Sequence, residues 1–85
     1  MTFYVYMLLA KKSPISYVGY TKNLNHRIKL HNSGNGAKFT RGRKWILIYK
    51  QKYELKSDAI KNEYRLKKNT KLRNKIKLEY IKNNK

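Results

Sequence analysis

Two short runs of β-branched and aromatic residues, Phe3 to Leu9 and Ile15 to Tyr20, are separated by Lys11-Lys12-Ser13-Pro14. Such side chains suit a half-buried pleated surface, and a Ser-Pro breaker between two of these runs reads as an antiparallel hairpin. Each run carries tyrosines, in Tyr4-Val5-Tyr6 and in Tyr17-Val18-Gly19-Tyr20. Because side chains alternate faces along a strand, Tyr6 and Tyr17 point the same way if Tyr6 lies opposite Tyr17 or Gly19. A slip of one residue separates them. Gly19 weakens its strand unless a bulge or a close approach requires it. Tyrosines are ordinary in such a sheet, so the hairpin alone defines a fold element and no activity.

Eighty-five residues imply one domain, 1–85, with a small core. The absence of cysteine excludes disulfides, thiolate zinc sites and cysteine nucleophiles, and makes the cytoplasm the expected location. No apolar run approaches the roughly 18 residues of a spanning helix, and Met1 to Leu9 does not read as a signal peptide, so no membrane insertion is expected. The charge is extreme: 22 Lys+Arg against 4 Asp+Glu, a net +18 at pH 7. Solubility needs only a magnitude of about 2 to 8. Self-repulsion at this level weakens a compact state, so the surplus points to a polyanion, with nucleic acid first and an anionic membrane surface as the weaker alternative. No acid precedes Glu54, and Asp58, Glu63 and Glu79 follow it. Any carboxylate serving the hairpin must therefore come from the second half.

After the hairpin, Thr21-Lys22-Asn23 offers helix caps, and Leu24, Ile28 and Leu30-His31 recur at helical spacing until Asn32-Ser33-Gly34. This predicts a helix from about Leu24 to Asn32. Arg27 and His31, four apart, share one face along the border of its apolar stripe. The stretch from Asn32 to Lys44 holds three glycines and no apolar period, which predicts a loop. Its Lys38, Arg41, Arg43 and Lys44, with Lys22 nearby, suit a phosphate backbone, and Phe39 would stack on a base or anchor the loop. Trp45-Ile46-Leu47-Ile48-Tyr49 is apolar enough to predict the buried strand of the sheet. Ser57 and Asp58 then open a helix as cap and first-turn acid. Asn69-Thr70 breaks that pattern, and Leu72, Ile76 and Tyr80 define a last helix ending in a frayed Lys82-Asn83-Asn84-Lys85. No internal repeat is present.

Glu63 is the anomaly. It lies four after Ala59 and three before Leu66, on the stripe that should face the core. A carboxylate placed there needs a cation, either a metal ion or a basic side chain such as Arg27 or a lysine.

Taken in order, these features resemble the GIY-YIG endonuclease family, small stand-alone bacterial members above all. Tyr4-Val5-Tyr6 and Tyr17-Val18-Gly19 stand where the two naming triplets would. The likeness continues through Asn23-Leu24, Arg27, His31 and Gly34 to Gly42, and ends at Glu63-Tyr64 before a lysine-rich helix. Tyr4 departs from the first glycine of the pattern, and Tyr20 stands where some relatives carry lysine. The resemblance implies an α+β fold, a three-stranded antiparallel sheet flanked by helices in the order β-β-α-β-α-α. It also implies metal-dependent hydrolysis of phosphodiester bonds in nucleic acid, with DNA the expected substrate, RNA the open alternative, and repair or recombination the expected setting.

By position, the resemblance makes Tyr6 and Tyr17 the active-site phenols, Arg27 the phosphate-binding cation, and His31 a proton acceptor or phosphate donor. Glu63 becomes the sole ligand of Mg²⁺ or Mn²⁺, and Gly19 is structural. A single carboxylate leaves such an ion open to water and phosphate oxygens. Cationic surroundings favour a phenolate, so Tyr17 is expected to act as base or to orient the attacking water, with Tyr6 supporting it. The competing readings are a non-catalytic basic nucleic-acid-binding module and a structural protein associated with RNA or ribosomes.

Overall fold

The computed structural model describes residues 2–83. The chain forms β1 (Phe3–Ala10), β2 (Ser16–Thr21), α1 (Leu24–Ser33), a 3-10 turn (Lys38–Thr40), β3 (Trp45–Tyr53), α2 (Lys56–Lys68) and α3 (Thr70–Asn83). This is the expected α+β order, with an antiparallel sheet of strand order β2-β1-β3. Tyr6 pairs with Gly19 and Leu8 with Tyr17, so the register puts both phenols on one face.

The central strand is β1, whose residues from Val5 to Ala10 are all buried. The Trp45–Tyr49 run, expected to be the buried strand, instead begins the edge strand β3. Its apolar residues are covered by helices on the two faces of the sheet. A bulge makes this possible: Met7 pairs with Tyr49 but Leu8 with Leu47, which leaves Ile48 as an extra residue. Ile48 and Tyr49 thereby join the core of Phe3, Val5, Met7 and Val18, while Leu47 and Trp45 join that of Tyr6, Leu8 and Ala10.

Each core has its own helices. Ala59 and Leu66 of α2 and Ile76 of α3 close the Phe3/Val5/Met7 side, whereas Leu24 and Ile28 of α1 close the Tyr6/Leu8 side. The α1 helix starts where Asn23 Oδ1 accepts the His26 N–H at 3.1 Å, and stops at Gly34, whose φ of 87° favours a residue without Cβ. In α2 the cap position is Leu55, with no side-chain cap, so Ser57 lies inside the first turn beside Asp58 and does not cap it. Asn69 does cap α3, accepting the Leu72 N–H at 3.0 Å. Arg73 of α3 donates to the carbonyls of Leu66 and Lys67, satisfying the open end of α2. The frayed end is corrected in part: Lys82 and Asn83 are helical, and Asn84 and Lys85 lie outside the described residues.

Candidate active site

Gly19 owes its place to Tyr6. A Cβ there would stand 2.6 Å from Tyr6 Oη, 2.8 Å from Cζ and 3.2 Å from Tyr17 Cε2. The glycine therefore serves a close side-chain approach within regular pairing. Across it the rings of Tyr6 and Tyr17 lie 6.4 Å apart, and that of His31 lies 4.9 Å from Tyr17 and 5.8 Å from Tyr6.

His31 does not sit on a border as the helical pattern suggested; it is fully buried. The pattern of α1 sees only α1, and the loop after it folds back over the imidazole. Nε2 is hydrogen-bonded to Tyr6 Oη at 2.8 Å and Nδ1 to Thr40 Oγ1 at 3.0 Å. Gly36 permits the closure, since a Cβ there would come within 2.4 Å of Nδ1 and 2.9 Å of the His31 Cα. The loop is pinned to β3 by the Trp45 indole N–H, which donates to the Thr40 carbonyl at 3.0 Å. Asn32 adds a second clasp, accepting the Trp45 N–H at 2.6 Å. Thr40, Gly36 and Asn32 escaped the sequence reading. The one trace available was the Ala37-to-Thr40 spacing, which suits a 3-10 turn.

Burial dominates the electrostatics of this cluster. It pushes the Tyr6 phenol up from the usual 10.0 to about 12, although the hydrogen-bonding Arg27 guanidinium opposes it. The expected help of cations toward a phenolate is thus outweighed at Tyr6. Arg27 in turn is raised, chiefly by its hydrogen bond to Tyr6. Burial, then the Arg27 charge, lowers His31 below the ordinary 6.5.

These shifts fix the pH dependence of stability. For Tyr6, whose folded pKa is raised, the contribution is complete below pH 10 and is lost as pH climbs through about 12. For His31, whose folded pKa is lowered, the unfolded chain takes up the proton first. Stability is then complete above about pH 6.5 and falls as pH drops toward the lowered value. Burial also raises the Tyr53 phenol, so denaturant melts across pH should show both flanks, and Tyr6→Phe should lessen the alkaline one. An alkaline flank unchanged in that variant would count against the buried, neutral phenol.

Glu63 lies where the spacing put it, with Ala59 and Leu66 of the same stripe both buried. Its side chain is 17% exposed, and its carboxylate pairs with Lys67 Nζ at 3.2 Å, the lysine alternative for its partner. Its charge is one of those acting on the Tyr6 phenol, so α2 brings an acid to bear on the cluster that α1 and the hairpin build. Among the described residues no group of three or more His, Asp or Glu side chains could hold a metal ion. A hard cation would rest on Glu63 alone, with water and phosphate oxygens filling the remaining positions, and that donor chemistry fits Mg²⁺ or Mn²⁺. A metal ion there would displace the half-exposed Lys67 from the carboxylate.

The loop residues Lys38, Phe39, Arg41, Arg43 and Lys44 are all exposed, as is Lys22, whose ammonium lies 5.7 Å from the centre of the Phe3 ring. Phe39 stacks on Tyr17 with centroids 6.2 Å apart and remains 54% exposed. Together with Ser16, Val18, Lys67 and Arg73, these two rings line a surface groove of about 280 Å³.

A hairpin that sets two phenols against a helix-borne arginine and histidine, with a later acid on a separate helix, is an arrangement with a family behind it. The model of the GIY-YIG catalytic domain matches residues 2–77, and the chain belongs to this family of nuclease domains. The chain is also similar to proteins named UPF0213. It is 46% identical over 65 residues to the UPF0213 protein OB0043 of Oceanobacillus iheyensis, covering 75% of this chain and 74% of that one. A UPF0213 protein of Staphylococcus aureus is 48% identical over 52 residues, covering 60% of this chain and 63% of that protein, less than two thirds of its length. The solution NMR structure of the UPF0213 protein BH0048 from Bacillus halodurans is 40% identical, with a TM-score of 0.54 over 96% of this chain and 86% of that one. Family membership supports a nuclease-type function with nucleic acid as substrate in general. Among the described residues, no helix is long and apolar enough to cross a membrane.

Proposed function

We propose that this chain is a metal-dependent endonuclease that hydrolyses phosphodiester bonds in DNA, in the cytoplasm, in repair or recombination. The observation that carries the reading is the buried Tyr6–His31 hydrogen bond beside Tyr17 and Arg27, with the Glu63 charge acting on the same phenol. A fold held together by apolar packing has no need to bury two hydrogen-bonded polar rings against an arginine.

Arg27, whose charge acts on the Tyr6 phenol, binds the scissile phosphate and stabilises the charge that grows on it. Tyr17, half-buried and lining the groove, is the phenol that an attacking water reaches, and it either orients that water through its hydroxyl or, in the phenolate form, accepts its proton. Tyr6 supports it from beneath, with its hydroxyl engaged by His31. Glu63 holds Mg²⁺ or Mn²⁺, which supplies Lewis-acid stabilisation of the phosphate when bound. The exposed basic residues of the loop and Lys22 contact flanking phosphates, and Phe39 offers a face to a base.

Replacing Tyr17 by Phe keeps the ring and its stacking on Phe39 but removes the hydroxyl. Nicking of labelled DNA with Mg²⁺ should fall by about 10²-fold or more, the scale of a positioned acid–base group. Undiminished cutting would remove Tyr17 from the mechanism. One observation favours a second reading, that of a non-catalytic binding module: Lys67 already neutralises Glu63. Removing the charge of Glu63 separates the two.

A further inference from the structure

Thr40 touches neither groove nor solvent; it is fully buried, and its hydroxyl oxygen has three neighbours. The Ala37 N–H at 3.1 Å can only donate to it, and the Ala37 carbonyl at 2.9 Å can only accept from it. A hydroxyl has one proton, and although the Ala37 carbonyl also accepts the Thr40 backbone N–H at 3.0 Å, leaving the two oxygens 2.9 Å apart without a proton between them would be repulsive, so the hydroxyl proton goes to that carbonyl. The third neighbour, His31 Nδ1 at 3.0 Å, must then be the donor. A neutral imidazole that donates from Nδ1 has a bare Nε2, and the Tyr6 hydroxyl at 2.8 Å must donate to it. With its proton so committed, the Tyr6 oxygen is left as an acceptor, and the group beside it is the Arg27 guanidinium.

We infer that Thr40 is a positioning residue whose hydroxyl fixes His31 in the Nδ1–H tautomer, so that the Tyr6 phenol donates to His31 and presents its oxygen to Arg27. The hydrogen bonds then all run one way, from Tyr6 through His31 and Thr40 to the Ala37 carbonyl, with the Arg27 charge beside the Tyr6 oxygen. The low basicity of the buried imidazole agrees with the neutral form that this order requires. The 3-10 turn supplies the fixed end of the chain, since both Ala37 groups belong to the backbone. The tautomer follows from geometry alone; only its effect on rate rests on the proposed nuclease reading.

The test is nitrogen–proton NMR of the full chain labelled in histidine, without metal or nucleic acid, which reads the nitrogen that carries the ring proton. His26 is exposed and His31 buried, so the two rings are separable. Wild-type His31 should show a slowly exchanging Nδ1–H. Thr40→Val should lose it and give mixed tautomers, and Thr40→Ser should restore it. In parallel, cleavage with Mg²⁺ should drop at least about tenfold in Thr40→Val, a part of what a positioned acid–base group supplies. DNA binding in EDTA should stay within about twofold, because no phosphate-binding side chain is altered. A wild-type Nε2–H tautomer overturns the inference, whatever the variants do. So does a folded Thr40→Val that keeps both Nδ1–H and the wild-type cutting rate. If the valine variant fails to fold, the wild-type tautomer and the serine variant decide. A wild-type chain with the Nδ1–H tautomer but no cleavage would refute the nuclease reading and leave the tautomer standing.

Discussion

Glutamine in place of Glu63 should reduce divalent-metal-dependent cleavage by about 10²–10³-fold or more, while DNA binding in EDTA stays as tight or tightens. The substitution keeps the shape of the side chain and removes the carboxylate whose charge acts on the Tyr6 phenol. The other three acids, Glu54, Asp58 and Glu79, are exposed, so none has the half-buried setting that would let it replace Glu63. The loss also frees Lys67 for phosphate, which is why binding should not weaken. Cleavage is followed on labelled duplex, flap, branched and single-stranded substrates, with binding by gel shift. Equal cutting by the two proteins would end the single-ligand reading. No cutting by either, with tight binding by both, would leave a cationic binding module.

Alanine in place of His31 should cost about 3 kcal/mol of stability or more. The Tyr6 hydroxyl loses its acceptor while buried, at about 1–3 kcal/mol, and the missing ring leaves a cavity beneath the loop. Thr40 keeps both Ala37 partners, so the threonine is not the orphan. For a domain of this size 1 kcal/mol shifts the melting temperature by roughly 4–8 °C, so a fall of about 12 °C or more is expected by circular dichroism. A shift of only a few degrees would mean that the imidazole is replaceable by water and that the buried chain of hydrogen bonds contributes little to the fold.

The hairpin and the bounds of α1 could be read from the residues, because alternation, a breaker and a capping Asn23 are local signals, whereas the register stayed open between Tyr17 and Gly19 as the partner of Tyr6. Glu63 announced itself for the same reason: a carboxylate on an apolar stripe is wrong locally unless something distant repairs it. Strand order was less accessible. Both β1 and the start of β3 are strongly apolar, and which of them lies in the centre depends on pairings that no single segment encodes. The burial of His31 was hidden because its cover comes from Gly36 and Thr40, in a loop without periodicity. Thr40 was missed because nothing in its type or spacing declares a partner nine residues back. What remained illegible was the tertiary closure of a loop upon a helix.

The chain contains one tryptophan, and Trp45 is buried with its indole bonded to the backbone of Thr40. Its ring also lies 6.3 Å from Phe39, which lines the groove. The molecule thus carries a single tryptophan, selectively excitable apart from its tyrosines, at the seam between its scaffold and its candidate site. Its emission colour reports whether the seam is shut, with no dye or label introduced.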